Sequence, residues 1–287
     1  MKNILLLLLF FGDAKTSAQP KSYDYAYLNK KGICVYSVAN KMEYLADAKG
    51  QDPCISPDGK KLAFTSSNKA GDRFIAVIDL ATKKKTIFNT HNNNCYGPMW
   101  SPNGKYIAYN AFDAKKSDWS IAIIDSGNTT TKILTASLKQ SFSPSWTSDS
   151  KSVVVQNMEK VFVFDMEGNV VKDYKISDMT SDSGPSSSDR FQFTADNQKI
   201  AFSTEVNEPG GSDGPPTAVF IYDINRKSSL RLSPKGYFCD GVIIKGNQVL
   251  YTGSKLRSTI QNVYIVDLDG KNLKILFPGC SNISAKN

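Results

Sequence analysis

The chain has 287 residues, of which 40% are hydrophobic, 22% charged and 11% aromatic, with a net charge of +8. This is the composition of a folded protein, neither disordered nor dense in disulfides. The single histidine, His91, excludes zinc sites with two or three histidines. The lysine excess is scattered over short clusters and forms no long stripe, so we expect no nucleic acid partner.

The N-terminal segment predicts export. Lys2 gives a short basic start, residues 4–11 form an unbroken apolar run (ILLLLLFF), and small residues lead up to Ala18. This order is typical of a secretory signal peptide, which we place at residues 1–18. The apolar run is too short to cross a bilayer, and no comparable run follows. We therefore expect a periplasmic or secreted protein that does not span the membrane.

A short phrase recurs along the rest of the chain. It reads PCISPDGKKLAF from Pro53, PMWSPNGKYIAY from Pro98 and PSWTSDSKSV from Pro144, and it returns as FTADNQKIAF and, in eroded form, as IKGNQVLY. The matching positions Ser56, Ser101, Thr147, Thr194 and Lys245 are 45, 46, 47 and 51 residues apart. The Pro-Asp-Gly centre is typical of a turn, so each copy predicts a β-hairpin.

Each hairpin precedes two further predicted strands. The first is an apolar run that ends in aspartate, such as residues 74–79 or 120–125, and the second is short, such as residues 86–88. The aspartates keep the same place before a turn, so we interpret them as turn caps rather than as metal ligands. Four antiparallel strands in a unit of this length predict the blade of an all-β propeller.

The two ends of the chain predict how the ring closes. The N-terminal stretch lacks the first strand of a blade, and residues 282–284 at the C-terminus supply it. We therefore predict one six-bladed β-propeller over residues 19–287, closed by pairing of the C-terminal strand with the N-terminal blade. The predicted blades are residues 20–50 with 281–287, 51–94, 95–140, 141–189, 190–236 and 237–280.

The phrases PMWSPNGKYIAY and ISPDGKKLAF closely resemble the repeat of the TolB-type six-bladed propellers, and the resemblance covers residues 21–287. It implies a six-bladed fold, export and a binding role, because TolB works in the Tol–Pal envelope system and binds the peptidoglycan-associated lipoprotein. We expect this chain to lack the separate N-terminal domain of TolB. Similar repeats occur in prolyl-oligopeptidase-like peptidases and oligogalacturonate lyases, so the fold alone does not decide the function.

The sequence holds little that would support catalysis. No G-x-S-x-G pentad occurs, and the histidine-rich metal centre that the lyase resemblance implies cannot be supplied. We expect no metal and no cofactor, and we interpret the chain as a monomeric, non-catalytic module that binds an envelope protein or polysaccharide. The alternative is a glycan-active or peptide-active enzyme with a carboxylate site at the central channel.

Two irregular features leave alternatives open. The five cysteines form no C-x-x-C motif, and Cys239 with Cys280 is the one pair placed suitably for a disulfide. Residues 205–217 (EVNEPGGSDGPPT) form an inserted loop that is either functional or mere decoration.

We place the candidate binding site at one mouth of the central channel, where a propeller offers a concave surface. Residues just before each innermost strand, and the loops that join second and third strands, reach this mouth. The candidate residues are Asp52, His91, Tyr96, Phe142, Arg190, Tyr237 and Asp240, with Trp119 and Arg257 from the second set of loops. Aromatic rings beside charges suit a protein-binding hot spot; the alternative is that the rings only pack between blades.

Overall fold

The structure, a computed structural model, describes residues 20–210 and 214–286. The predicted signal peptide at residues 1–18 lies outside the described residues. Within the described ranges, the only helical segment is a single 3₁₀ turn at Ile176–Asp178. None of the helical structure described here could therefore reach across a bilayer.

The described strands form six four-stranded antiparallel sheets. Blade 1 contains β1 (Tyr25–Asn29), β2 (Gly32–Ser37), β3 (Met42–Asp47) and β24 (Ser281–Ala285). Blade 2 contains β4 (Gln51–Ile55), β5 (Lys61–Ser67), β6 (Arg73–Asp79) and β7 (Lys85–Ile87). Blade 3 contains β8 (Cys95–Trp100), β9 (Tyr106–Asp113), β10 (Asp118–Asp125) and β11 (Thr131–Ile133).

The remaining three blades follow the same pattern. Blade 4 contains β12 (Phe142–Trp146), β13 (Ser152–Gln156), β14 (Lys160–Asp165) and β15 (Val170–Lys175). Blade 5 contains β16 (Gln192–Phe193), β17 (Lys199–Glu205), β18 (Thr217–Asp223) and β19 (Ser228–Arg231). Blade 6 contains β20 (Tyr237–Lys245), β21 (Gln248–Lys255), β22 (Asn262–Asp267) and β23 (Lys274–Pro278).

The innermost strands of the six blades form a closed ring. Each of the strands β24, β4, β8, β12, β16 and β20 contacts the next, and β20 contacts β24. We call the end where these strands begin the loop face, and the end with the hairpin turns the turn face. The predicted all-β, six-bladed propeller with four antiparallel strands per blade is confirmed.

The C-terminal strand closes the ring as predicted. Strand β24 pairs antiparallel with β1, with Tyr25 opposite Ala285 and Ala26 opposite Ser284. The Ser284 hydroxyl also accepts a hydrogen bond from the Ile55 N–H of blade 2, at 2.9 Å. Closure therefore gives blade 1 its innermost strand and pairs the edge of β1 that would otherwise be open.

The hairpin phrase folds as a turn held by its own side chains. The Ser56 hydroxyl donates to Asp58 at 2.6 Å and accepts from the Lys61 N–H at 2.9 Å. Gly59 has a φ of 70°, and a Cβ atom there would lie 2.2 Å from the Tyr23 carbonyl oxygen. The turn therefore requires glycine at this position. The aspartates that end third strands do cap turns: Asp165 accepts from the Gly168 N–H at 2.8 Å.

The hydrophobic core consists of layers between neighbouring blades. Between blades 2 and 3, for example, Ile75 and Val77 of one sheet belong to the same buried cluster as Trp100 and Tyr109 of the next. Both faces of each sheet are covered in this way, which explains why the second and third strands are almost continuously apolar. Packing between blades thus fixes each sheet relative to the channel.

Deleting residues 280–287 should lower the melting temperature by about 10 °C or more, because blade 1 loses its innermost strand and the ring opens. Removal of Asn287 alone, which keeps β24 and the ion pair of Lys286 with Asp24, is the control and should cost much less. Thermal unfolding followed by circular dichroism measures both. Equal melting curves for the wild type and the longer deletion would contradict closure by this strand.

Candidate functional site

Five of the six innermost strands are interrupted by a β-bulge near the loop face. The residue at the bulge has left-handed backbone in each case: Asp52 (φ 50°), Gly97 (65°), Ser143 (51°), Gly241 (63°) and Asn282 (49°). Blade 5 differs, because β16 pairs without a bulge and Arg190 occupies the matching place. All six residues line one cavity of about 170 Å³ in the central channel.

Buried polar side chains on the second strands hold these bulges in place. A bulge leaves a backbone N–H without a partner in its own sheet. In three cases a side chain of the preceding blade accepts that hydrogen bond. The donor and acceptor pairs are Gly97 N with Thr65 Oγ1 at 3.0 Å, Ser143 N with Asn110 Oδ1 at 2.9 Å, and Asn282 N with Thr252 Oγ1 at 3.0 Å.

Blade 5 is tied to blade 4 differently. The buried Gln156 side chain donates from Nε2 to the Ser186 carbonyl oxygen at 2.8 Å and to the Asp189 carbonyl oxygen at 3.2 Å. The Asp189 carboxylate accepts from the Ser186 N–H at 2.7 Å and from the Ser203 hydroxyl. Burial raises the pKa of Asp189, and these hydrogen bonds counteract the rise. The segment leading to Arg190 is therefore rigidly held.

Three charged side chains face the cavity. Arg190 donates from Nε to the Pro144 carbonyl oxygen at 2.9 Å, and Asp52 accepts from the Thr65 hydroxyl at 2.8 Å. Burial lowers the pKa of the Arg190 guanidinium, while Cys54 and Asp52 act in the opposite direction. Arginine nevertheless stays charged at any physiological pH. The mouth therefore contains one permanent positive charge, that of Arg190, beside the carboxyl groups of Asp52 and Asp240.

The third charged residue, Asp240, titrates near neutrality. Asp240 is exposed to the solvent inside the channel, but the walls of the channel keep it away from bulk water. Loss of bulk water, with a smaller contribution from the negative charge of Asp189, raises the pKa of Asp240 to about 6. Its charge therefore changes around pH 6.

A cluster of aromatic rings adjoins the cavity between blades 2 and 3. Tyr96 and Trp119 meet edge to face with centroids 5.1 Å apart, and Phe112 lies 5.0 Å from Trp119. The Arg73 guanidinium lies 4.4 Å from the centre of the Tyr96 ring and donates to Asn94 at 2.8 Å. We call Arg73, Tyr96, Phe112 and Trp119 the aromatic cluster. It offers a rigid surface of rings and charge beside the channel.

The structure brings together some of the predicted site residues. Asp52, Tyr96, Arg190 and Asp240 line one cavity, and Trp119 adjoins it through Tyr96. Arg257 is exposed in the turn between β21 and β22, outside the cavity lining.

Three other predicted positions do not face this cavity. Phe142 is only 6% exposed, because the segment before β16 runs beside it and the Ser143 hydroxyl donates to the Ser187 carbonyl oxygen. His91 lines a separate groove on blade 3, since the loop before β8 turns away from the channel. Tyr237 packs edge to face on Tyr264 at 6.1 Å and is absent from the cavity lining.

The sequence reasoning missed several residues that shape the mouth. Thr65, Asn110 and Gln156 each lie nine positions after the serine or threonine of the repeat. A polar residue at the same place in three apolar strands could therefore have been recognised from the repeat. The position of Arg73 over the Tyr96 ring could not be predicted from the repeat, because it depends on packing between blades.

Neither a disulfide nor a cluster of metal-binding side chains is present among the described residues. All five cysteines are buried free thiols, so Cys239 and Cys280 are not bonded. Within residues 20–210 and 214–286, no group of three or more histidine, cysteine, aspartate or glutamate side chains is arranged to hold a metal ion.

The chain has the fold of the six-bladed propellers seen in TolB structures, in agreement with the repeat. TolB from Acinetobacter baumannii matches with a TM-score of 0.65 and 19% identity, over 92% of this chain and 66% of that one. A structure named TolB from Agrobacterium tumefaciens matches with a TM-score of 0.64 and 16% identity, over 92% and 94%. The tricorn protease matches with a TM-score of 0.57 and 14% identity, over 79% and 22%.

These likenesses show a shared fold. No family model matches the chain, and no curated protein sequence does either.

Replacing Asn110 with alanine should destabilise the protein by about 1–3 kcal/mol, because the buried Ser143 N–H loses its partner. Asn225→Ala, at an exposed turn, is the matched control and should change stability little. Urea unfolding measures both. A loss for Asn110→Ala no larger than that of the control would show that the bulge does not depend on the neighbouring blade.

Asp240→Asn should stabilise the protein more at pH 7.5 than at pH 4.5. The folded-state pKa of Asp240 is raised from 3.8 to about 6, so ionisation weakens folding as the pH rises from about 4 to about 6. The neutral variant escapes this cost. Melting temperatures of both proteins at the two pH values test the sign. A difference between the proteins that is the same at both pH values, or larger at pH 4.5, would contradict the raised pKa.

Proposed function

We propose that this propeller is an exported binding module that captures its partner at the loop face, through the channel mouth and the aromatic cluster. One observation carries the proposal: Arg190 and Asp52 face the same accessible cavity, yet no ion pair joins Arg190 to any carboxylate among the described residues. Charges held apart inside a concave site leave their interactions available to a partner.

The aromatic cluster supplies the second part of the proposed surface. Tyr96 belongs both to the cavity lining and to the cluster, so the two features form one continuous surface. Binding hot spots combine such rings with arginine, because rings give contact area and the guanidinium gives orientation. The similarity in fold to TolB supports a binding role of this kind.

The location and the partner class complete the proposal. The signal-like residues 1–18 support export to the periplasm or beyond, where the partner would be an envelope protein or polysaccharide. We propose that the propeller acts as a monomer, since pairing of β24 with β1 closes the ring within one chain.

A carboxylate enzyme is the second candidate function. Asp52 and Asp240 line one cavity, and the pKa of Asp240, about 6, suits proton transfer near neutral pH. The tricorn protease also has a propeller of similar fold, although that likeness supports only the fold. Hydrolysis of glycan or peptide by the wild type that is lost in Asp240→Asn and in Asp52→Asn would favour this candidate.

Replacing Tyr96 and Trp119 together with alanine should reduce capture of the partner from envelope extract about tenfold or more, since both rings belong to the proposed surface. Quantitative mass spectrometry of pulled-down proteins and a glycan array are the readouts. Leu45→Ala, whose side chain is 53% exposed on the rim strand β3, is the matched control. Phe142 is omitted because it is buried.

Melting curves must show that the double variant stays folded. A partner that the wild type captures and the folded double variant captures equally well would contradict the proposed surface. Loss of capture in Leu45→Ala alone would place the surface on the rim instead.

A further inference from the structure

We infer that the channel mouth is a receptor for the carboxyl-terminal end of a peptide, whose terminal carboxylate binds Arg190. This inference rests on the proposed function and names its ligand. It follows from how Arg190 is held, from what remains free on its side chain, and from the shape and chemistry of the cavity in front of it.

Arg190 is fixed by the residues on either side of it. The carboxylate of Asp189 is held by Ser186, and the Asp189 carbonyl oxygen accepts from Gln156. On the other side, the Ser145 hydroxyl donates to the Phe191 carbonyl oxygen at 2.5 Å. Four hydrogen bonds, counting the one made by Arg190 Nε, therefore fix the backbone and the base of the guanidinium. A binding group held so firmly loses little entropy when a ligand arrives.

The outer part of the guanidinium is left free for a ligand. Its Nε bonds Pro144, but neither Nη atom has a described hydrogen-bond partner or ion pair, and Asp52 is engaged by Thr65. The two Nη groups of a guanidinium match the two oxygens of a carboxylate, and this paired geometry favours a carboxylate at Arg190 against the opposing charges of Asp52 and Asp240 in the same lining.

Blade 5 differs from the other five blades at the position of Arg190, and this difference supports a binding role for Arg190. The other five blades place aspartate, glycine, serine or asparagine at this level, each with left-handed backbone. Blade 5 alone has no bulge here and projects a long cationic side chain into the cavity. A local break in an otherwise repeated pattern is where functional residues are expected.

The surroundings favour a peptide end over a sugar acid. Sugars often stack on open aromatic faces, and one face of the Tyr96 ring is occupied by Arg73. Cys54, Met99 and Ile243 also line the cavity and suit an apolar side chain at the end of a peptide. The volume of about 170 Å³ accommodates a chain end more readily than the middle of a polymer.

The test compares two pools of random hexapeptides that differ only at the C-terminus, one with free carboxylates and one with amides. Immobilised wild-type protein should enrich the free-acid pool at least about tenfold over the amide pool, since only the acid can pair with Arg190. Arg190→Gln should abolish the preference. Arg226→Gln, an arginine whose side chain is 83% exposed on a turn, is the matched control and should keep it.

Each other result overturns the inference. Equal enrichment of acid and amide pools, or a preference that survives in folded Arg190→Gln, would show that Arg190 does not read a C-terminus. Displacement of a bound probe by oligogalacturonate but not by free-acid peptides would assign the site to sugar acids. Capture from envelope extract that depends on Tyr96 and Trp119 but not on Arg190 would refute this inference while leaving the proposed function intact.

Discussion

The backbone N–H groups at the bulges of the innermost strands cannot be satisfied within their own sheets. At three of the five bulges the partner is a buried side chain of the neighbouring blade: Thr65 for Gly97, Asn110 for Ser143 and Thr252 for Asn282. A buried donor without a partner costs free energy comparable to a lost hydrogen bond. The ring is therefore held together by polar contacts at the channel as well as by the apolar layers between blades. These same contacts set the shape of the channel mouth.

This constraint explains why the mouth can carry function. The bulge residues lie where the chain leaves regular pairing, so their side chains and backbone groups face the channel rather than another strand. Because the neighbouring blade fixes three of the bulges, these parts of the mouth are held before any ligand binds. Arg190, in the blade without a bulge, is also held by the neighbouring blade, since hydrogen bonds fix the residues before and after it while its Nη groups stay free.

The fold could be predicted from the sequence because it repeats. The Pro-Asp-Gly turns, the apolar third strands and the complementary ends depend on local chemistry, so they are readable one blade at a time. Only part of the candidate site could be predicted from the sequence. Asp52, Tyr96, Arg190 and Asp240 were placed at the mouth by their position in the repeat. Which rings face the mouth depends on contacts between blades: Phe142 has the same position as Tyr96 in its repeat but is buried, and Arg73 reaches Tyr96 from another blade.

Native-state hydrogen exchange at the bulge amides tests most directly whether the channel mouth is preformed. If neighbouring blades hold the mouth in one conformation, the amides of Gly97, Ser143 and Asn282 should exchange only with global or near-global unfolding. The amide of Gly127, in an exposed turn, should exchange many times faster and serves as the internal reference. Exchange of the three bulge amides at rates close to that of Gly127 would show that the mouth opens locally, and would contradict a preformed site.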